Sequence, residues 1–120
     1  MEVKEIELMA FSPESRADLI RILEREHQRH SATEPSEFVI YDRPYPCQAP
    51  YNCFEKATIT VFRLFGRRYA LLLRKEFYND ENAETSRRHV AIYLVNSNFF
   101  ETEEEVVRDF SRKFLSESDC

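Results

Sequence analysis

Residues 57–78 read ATITVFRLFGRRYALLLRKEFY. Thr, Ile, Val and Phe dominate the stretch from Ala57 to Phe65, and a second apolar stretch runs from Tyr69 to Tyr78. Both compositions favour β-strands. Gly66, the only glycine of the chain, lies between them, and a tight hairpin turn needs the positive φ that glycine adopts freely. The stretch therefore predicts a β-hairpin.

A third strand is predicted after this hairpin. Asn79 to Arg88 is polar and acidic, as is typical of a surface loop. His89 to Val95 then resumes an apolar β pattern with almost no polar break, which indicates a strand covered on both faces. The three strands together predict an antiparallel meander.

The N-terminal region predicts a short strand followed by a helix. In residues 3–11, Ile6 and Leu8 alternate with acidic residues. Ser12, Pro13 and Glu14 supply a hydroxyl cap, a first-turn proline and a carboxylate at the positive end of a helix dipole. Apolar and aromatic positions follow at helical spacing up to a helix end near His30; they are Leu19, Ile20, Leu23 and His27.

A further strand and a second helix complete the prediction. Glu37 to Asp42 is a short apolar stretch typical of a buried strand. Several prolines follow, and Arg43 to Asn52 is therefore predicted to be irregular. Near the C-terminus, Thr102 and Glu105 have the spacing of a capping box. The helix that they open presents apolar residues at helical spacing, namely Val106, Val107, Phe110 and Phe114.

The element order predicts an α+β fold with helices packed on a largely antiparallel sheet. With 120 residues, the chain is expected to form a single domain over residues 1–120. We expect both helices and the clearest strands to share one core, formed by Leu19, Leu23, Ile59, Val61, Leu72, Ile92, Val106 and Phe110.

Composition excludes several classes of function. About eight glycines are expected in a chain of this length, so the single glycine excludes phosphate-binding loops built on glycine, including the Walker loop, the dinucleotide fingerprint and an acetyl-CoA pyrophosphate loop. A net charge of −5 argues against nucleic acid as a partner. No apolar run approaches the ~20 residues of a membrane helix, so no membrane association is expected.

Three cysteines are too few and too irregular for a disulfide framework. The N-terminus MEVKEIELMAF lacks the basic start and apolar stretch of a secretory signal and is too acidic for a mitochondrial transit peptide. We therefore expect a reducing, intracellular setting, with the cytoplasm favoured over the mitochondrion.

Four side chains have the chemistry of zinc ligands: His27, His30, Cys47 and Cys53. The Cys-x5-Cys spacing is wider than usual, and histidines also suit the negative end of a helix. No metal site is predicted, and no cofactor is expected.

Six basic residues lie on or beside the meander, and Tyr69, Phe77 and Tyr78 are close to them in sequence. They would bind phosphate or stack bases if they formed one rim, but acidic neighbours favour a solvated surface. The six are Arg67, Arg68, Arg74, Lys75, Arg87 and Arg88.

No catalytic residues are identified. A catalytic thiol needs a base and an electropositive setting, and Cys47, Cys53 and Cys120 have no evident partner in the sequence. The carboxylates of Glu34, Glu37 and Asp42 are isolated in the sequence as well, so catalytic and cofactor-binding residues stay unassigned.

One family resemblance covers most of the chain. Residues 49–52, A-P-Y-N, precede the first meander strand; the acidic loop D-E-N-A-E-T at 80–85 separates the next two; and N-S-N-F-F-E-T at 96–102 follows the last. This arrangement resembles the N-terminal half of glycine N-acyltransferase-like proteins. The predicted helix from Pro13 and the strand Phe38 to Asp42 fit the same half less distinctively.

The resemblance implies an incomplete acetyltransferase-like (GNAT-type) fold, with a meander followed by a helix that leaves a splayed strand end. Members of that family transfer an acyl group from acyl-CoA to an amino-acid amine, and their CoA-binding and catalytic residues lie in a following C-terminal domain. Here the corresponding junction, Val95 to Thr102, contains no glycine. No family residue can therefore be carried over, and the chain is expected to be inactive by itself.

Two hypotheses result. The chain is either the N-terminal domain of a glycine N-acyltransferase-like protein, which would act with a missing C-terminal domain or a protein partner, or a small intracellular protein-interaction module without enzymatic activity.

Overall fold

The computed structural model describes residues 2–47, 52–80, 86–96 and 102–115. They form an α+β fold with five strands and two helices: β1 (Glu2–Glu7), α1 (Pro13–His30), β2 (Ser36–Tyr45), β3 (Cys53–Arg63), β4 (Arg68–Asn79), β5 (Ser86–Asn96) and α2 (Glu103–Phe110). The predicted fold class is confirmed. Among these residues, no helix is both long enough and apolar enough to cross a membrane.

The five strands form one antiparallel sheet in the order β1-β5-β4-β3-β2. The predicted meander is present, and Gly66 in the β3–β4 turn has a φ of +75°. β1 pairs with β5 from Glu2 opposite Asn96 to Glu7 opposite Ala91. Because β1 and β2 lie at opposite edges, α1 has to cross one face of the sheet to connect them.

Both helix starts follow the predicted chemistry. The hydroxyl oxygen of Ser12 accepts a hydrogen bond from the Ser15 amide at 3.2 Å. That of Thr102 accepts one from the Glu105 amide at 3.2 Å. Each hydroxyl satisfies an amide that lacks a partner within the helix.

The prediction of one common core is wrong, because the two helices lie on opposite faces of the sheet. Successive side chains of a strand point to opposite faces, so Leu72 packs with Leu23 of α1 while Leu71 packs with Phe110 of α2. The predicted core residues divide accordingly: Leu19, Leu23, Leu72 and Ile92 lie on the α1 side, and Ile59, Val61, Val106 and Phe110 lie on the α2 side. Strand β5 contributes to both clusters, as predicted for a strand covered on both faces.

Several predicted boundaries change. β1 ends at Glu7 and a short 3-10 helix, Leu8–Ala10, follows it. β2 continues through Pro44 into the segment predicted to be irregular; a proline is tolerated there because β2 is an edge strand. The predicted surface loop, Asn79 to Arg88, overlaps both neighbouring strands, because β4 extends to Asn79 and β5 starts at Ser86. Residues 48–51, 81–85 and 97–101 lie outside the described part, and so does most of the predicted CoA junction.

The cysteines also correct a prediction. Cys47 and Cys53 form a disulfide at the end of the β2–β3 hairpin, with their Cα atoms 5.9 Å apart. The pairing follows from the register, which places Tyr45 opposite Cys53. Disulfides persist mainly in oxidising compartments. The cysteines therefore do not support the reducing, intracellular setting that their number and spacing had predicted.

Candidate functional site

A cleft of about 690 Å³ lies between α1 and the sheet, on the side of strand β2. Side chains along one side of α1 form the wall of the cleft, and the segment from Ser31 to Pro35 closes one end. Because α1 packs on β3 and its neighbours towards β1, the sheet next to β2 remains uncovered and forms the floor. We call this depression the α1 cleft; its lining includes Ile20, Glu24, His27, Gln28, Glu34, Glu37, Thr60, Phe62, Leu72, Arg74 and His89.

Arg74 is the cationic group of the floor, at the end of the cleft next to His89. Side chains of β4 alternate between the two faces of the sheet, and Arg74 lies on the same face as Ala70 and Leu72, which pack towards α1. Its Nε atom is buried, and no described residue accepts a hydrogen bond from it. A buried donor without an acceptor costs about 1–3 kcal/mol of folding free energy. The described residues therefore leave the hydrogen-bonding capacity of this guanidinium incompletely used.

His89 lies opposite Arg74 in the register of β4 and β5, directly after a register shift between Leu73 and Arg74. Burial lowers the pKa of the His89 imidazole, and the positive charges of Arg74 and Arg16 lower it further. The ring is therefore mainly neutral at pH 7, and an arriving anion would offset the charges that disfavour its protonation.

The opposite end of the α1 cleft is acidic. Glu24 on α1, Glu34 after it and Glu37 on β2 all line the cleft. A carboxylate oxygen of Glu37 accepts a hydrogen bond from the Thr60 hydroxyl at 3.5 Å. Within the described part of the chain, none of these three carboxylates forms an ion pair. The cleft therefore has a basic end and an acidic end.

His27 holds the wall of the cleft in place. It is completely buried; its Nε2 lies 2.8 Å from the Thr33 carbonyl oxygen, and its Nδ1 accepts a hydrogen bond from the Arg63 amide at 2.9 Å. These contacts assign the proton to Nε2. Both ring nitrogens are thus used to join α1 to β3 and to the segment after the helix.

The four candidate zinc ligands are not brought together. His27 and His30 lie near the β3–β4 turn, where the His30 ring contacts Phe65, whereas Cys47 and Cys53 form the disulfide at the far end of β3. Among the described residues, no group of three or more His, Cys, Asp or Glu side chains has the arrangement of a metal site. The disulfide also engages two of the three sulfurs that were considered as nucleophiles, and Cys120 lies outside the described residues.

The basic residues of the meander do not form one rim. Arg74 points towards α1, whereas Lys75 points to the other face and lies 3.6 Å from a carboxylate oxygen of Glu55. Arg87 lies 3.5 Å from a carboxylate oxygen of Glu76. The neighbouring aromatic rings are divided as well: Tyr69 is in the α2 cluster, Phe77 contacts Tyr45, and Tyr78 stacks on Phe54.

A second polar cluster lies on the α2 face, beyond the end of the helix. The carboxylate of Glu55 is buried and accepts hydrogen bonds from the Tyr41 hydroxyl at 3.0 Å and from Arg43 at 3.3 Å. Burial raises the pKa of Tyr41, and the Glu55 carboxylate contributes in the same direction, to about 12. Since the members of this cluster satisfy one another, it is best explained as a structural ion cluster.

In the sequence Glu34 and Glu37 are isolated acids, and their spacing does not predict their proximity to Glu24. Arg74 was predicted to belong to a surface group. A signal was present, because Arg74 continues the alternation of Ala70 and Leu72 and is therefore a charge in a core-facing phase. Asp42, the third isolated acid, accepts a hydrogen bond from the Tyr78 hydroxyl at 2.7 Å, outside the cleft.

Comparison of the chain with protein-family models, with curated proteins and with solved structures finds no match.

Proposed function

We propose that this chain is a binding module without enzymatic activity of its own, and that the α1 cleft binds an anionic group at Arg74 and His89. The observation that carries the proposal is the guanidinium of Arg74, which lines the cleft while its Nε has no acceptor among the described residues. A carboxylate or phosphate in the cleft would bind the part of this guanidinium that faces it, because the guanidinium fork matches the geometry of both groups.

The surroundings of Arg74 fit a ligand with an apolar part as well. Ile20, Phe62 and Leu72 line the cleft beside it. Small-molecule sites typically combine apolar walls with a few polar groups that fix the orientation of the ligand. A carboxylate with a short apolar body therefore matches the cleft better than a bare anion.

The test is a titration of the ¹⁵N-labelled protein with sodium hexanoate, followed by amide chemical shifts. We expect saturable shifts at Thr60, Arg74 and His89, because these residues line the floor of the cleft. Hexanol, which has the apolar body without the charge, should produce no saturable shifts at these amides. Saturation by hexanol as strong as by hexanoate would overturn the anion site.

Two variants make the test specific. Arg74→Gln should weaken hexanoate binding at least tenfold, because it removes the charge and the paired donors. Arg21→Gln is the matched control, since Arg21 is an exposed arginine of α1 that pairs with Asp18. Equal affinity of the two variants for hexanoate would contradict the proposal.

The resemblance to glycine N-acyltransferase-like proteins supports a second candidate, an N-terminal half that works with a missing C-terminal domain or a protein partner. The meander β3–β4–β5 followed by α2 is the order that this candidate requires. The expected splayed strand end is not present among residues 91–96, because this part of β5 is paired with β4 on one side and with β1 on the other. An intracellular location, with the cytoplasm favoured over the mitochondrion, stays a prediction for both candidates and rests on the N-terminal sequence alone, since the disulfide does not support it.

Both candidates predict no acyl-CoA turnover by this chain, because an N-terminal half would lack the CoA-binding domain. Calorimetric titration with acetyl-CoA and benzoyl-CoA, followed by an assay of thiol release in the presence of glycine, should detect neither micromolar binding nor turnover by this chain. The described end of β5 and the start of α2 support this expectation, since Glu103, Glu104 and Glu105 open the helix and would repel a pyrophosphate. Micromolar binding with turnover would replace the binding module by an acyltransferase.

A further inference from the structure

We infer that the ligand of the α1 cleft is a short peptide with free ends, whose carboxylate binds at Arg74 and whose terminal ammonium lies at Glu37. This inference rests on the proposed anion site and adds a second, opposite pole to it. The basis is that the cleft holds opposite charges at its two ends, Arg74 at one and three carboxylates without ion pairs at the other.

The distance between the poles follows from the sheet register. Glu37 is opposite Thr60, Thr60 is opposite Leu72, and Arg74 lies two residues further along β4 than Leu72. Two strand spacings and two residue steps separate the Cα atoms of Glu37 and Arg74 by about 12 Å. Three extended residues span about 10 Å, and the long Glu and Arg side chains cover the remainder.

The carboxylates make a purely anionic ligand a poor match. Glu24, Glu34 and Glu37 would repel a carboxylate or phosphate bound at Arg74, because they lie within the same cleft and form no ion pair with any described residue. Their separation from Arg74 is comparable to the Debye length of about 8–10 Å at physiological salt, so screening is incomplete. A terminal ammonium removes this repulsion and gains an attraction instead.

The dipole of α1 has the same direction as the charge pattern. The helix begins near the basic end, since Pro13 and Arg16 share a surface depression with His89. It ends at the acidic end, where Ser31 caps it and lines the cleft. Because the C-terminal end of a helix carries partial negative charge, the backbone favours an ammonium at the end where the glutamates lie.

The apolar residues of the cleft fit the body of a peptide. Leu72 lies on the floor next to Arg74, Phe62 lies on the floor opposite Ala70, and Ile20 lies on the wall. These side chains offer contact area without hydrogen-bonding groups, so we expect recognition of the two termini rather than of a particular side-chain sequence.

Three matched probes separate the two poles: trialanine, N-acetyl-trialanine and trialanine amide, each titrated calorimetrically into the intact chain at low salt. We expect trialanine to bind at least tenfold more tightly than either modified form. If N-acetyl-trialanine binds as tightly as trialanine, the ammonium pole is wrong, whereas the anion site stands. If trialanine amide binds as tightly as trialanine, the carboxylate pole is wrong, and the proposed anion site fails with it.

Glu37→Gln tests the acidic pole directly. It should weaken trialanine binding at least fivefold, because only trialanine carries an ammonium, and it should leave the affinity for N-acetyl-trialanine unchanged or slightly raised, because the variant removes one repelling carboxylate. Glu5→Gln is the matched control, since Glu5 is exposed on β1 at the other edge of the sheet. An equal loss for both peptides in Glu37→Gln would contradict the assignment, and circular dichroism of both variants establishes that they are folded.

Discussion

His89 and Arg74 are partners in the register of β5 and β4, and burial, together with the positive charges of Arg74 and Arg16, holds the pKa of the His89 imidazole below its usual value. An anion bound between them would reverse part of this effect, because it stabilises the protonated ring. The free protein therefore has a lower His89 pKa than the complex, so that binding takes up a proton.

The affinity for hexanoate should consequently rise as the pH falls through the pKa of the complex, and level off below the pKa of the free protein. We expect a gain of about three- to tenfold between pH 7.5 and 5.5, because a shift of one pKa unit corresponds to a factor of ten. Amide shift titrations at several pH values measure it. His89→Gln should remove this pH dependence and retain binding through Arg74; a pH profile unchanged in that variant would exclude His89 from the site.

Phe110 should be one of the most costly residues to truncate. Its ring is fully buried and contacts Tyr93 on β5, so Phe110→Ala should lower the free energy of unfolding by about 3–5 kcal/mol. Phe65→Ala is the control, since Phe65 is 78% exposed at the β3–β4 turn and should cost less than about 0.5 kcal/mol. Urea denaturation measures both. A loss below 0.5 kcal/mol for Phe110→Ala would mean that α2 is not docked on the sheet.

The local signals in the sequence predicted the elements well. The cap at Ser12 and the glycine at position 66 each fix a backbone conformation within a few residues, so the start of α1 and the β3–β4 turn could be located. The face to which each helix packs was not predictable in this way. It depends on the pairing of β1 with β5, which involves residues about 90 positions apart in the chain.

The candidate site was harder to predict than the fold. Arg74 could have been recognised as a charge in a core-facing phase, but the register of four strands and the register shift after Leu73 place His89 beside it and Glu37 at the other end of the same cleft. The disulfide was missed for the same reason. Cys47 meets Cys53 only because β2 continues through Pro44, a residue that indicated irregular structure.

The disulfide makes a prediction that can be checked by counting thiols. With Cys47 and Cys53 bonded, the denatured but unreduced protein should show one reactive thiol from its three cysteines, that of Cys120. The closed loop is short, so the chain-entropy model gives a stabilisation of about 2 kcal/mol. The double variant Cys47→Ser, Cys53→Ser should lose that amount in urea denaturation, and Cys120→Ser serves as the single-thiol control. Three reactive thiols in the wild-type protein would contradict the bond.

His27 should prove to be a structural residue rather than a metal ligand. Its two ring nitrogens already contact the Thr33 carbonyl and the Arg63 amide, and the ring is fully buried against Phe62. His27→Ala would leave both backbone groups without a partner and open a cavity, so we expect a loss of about 2–4 kcal/mol in the free energy of unfolding. His30→Ala should cost less than about 1 kcal/mol, because its ring contacts Phe65, which is itself exposed, and the Glu26 carboxylate. Thermal denaturation of the wild-type protein without EDTA, with EDTA, and with added Zn²⁺ separates a structural role from metal binding. We expect the same midpoint temperature in all three conditions. A midpoint that falls in EDTA and recovers with Zn²⁺ would show that His27 belongs to a metal site after all.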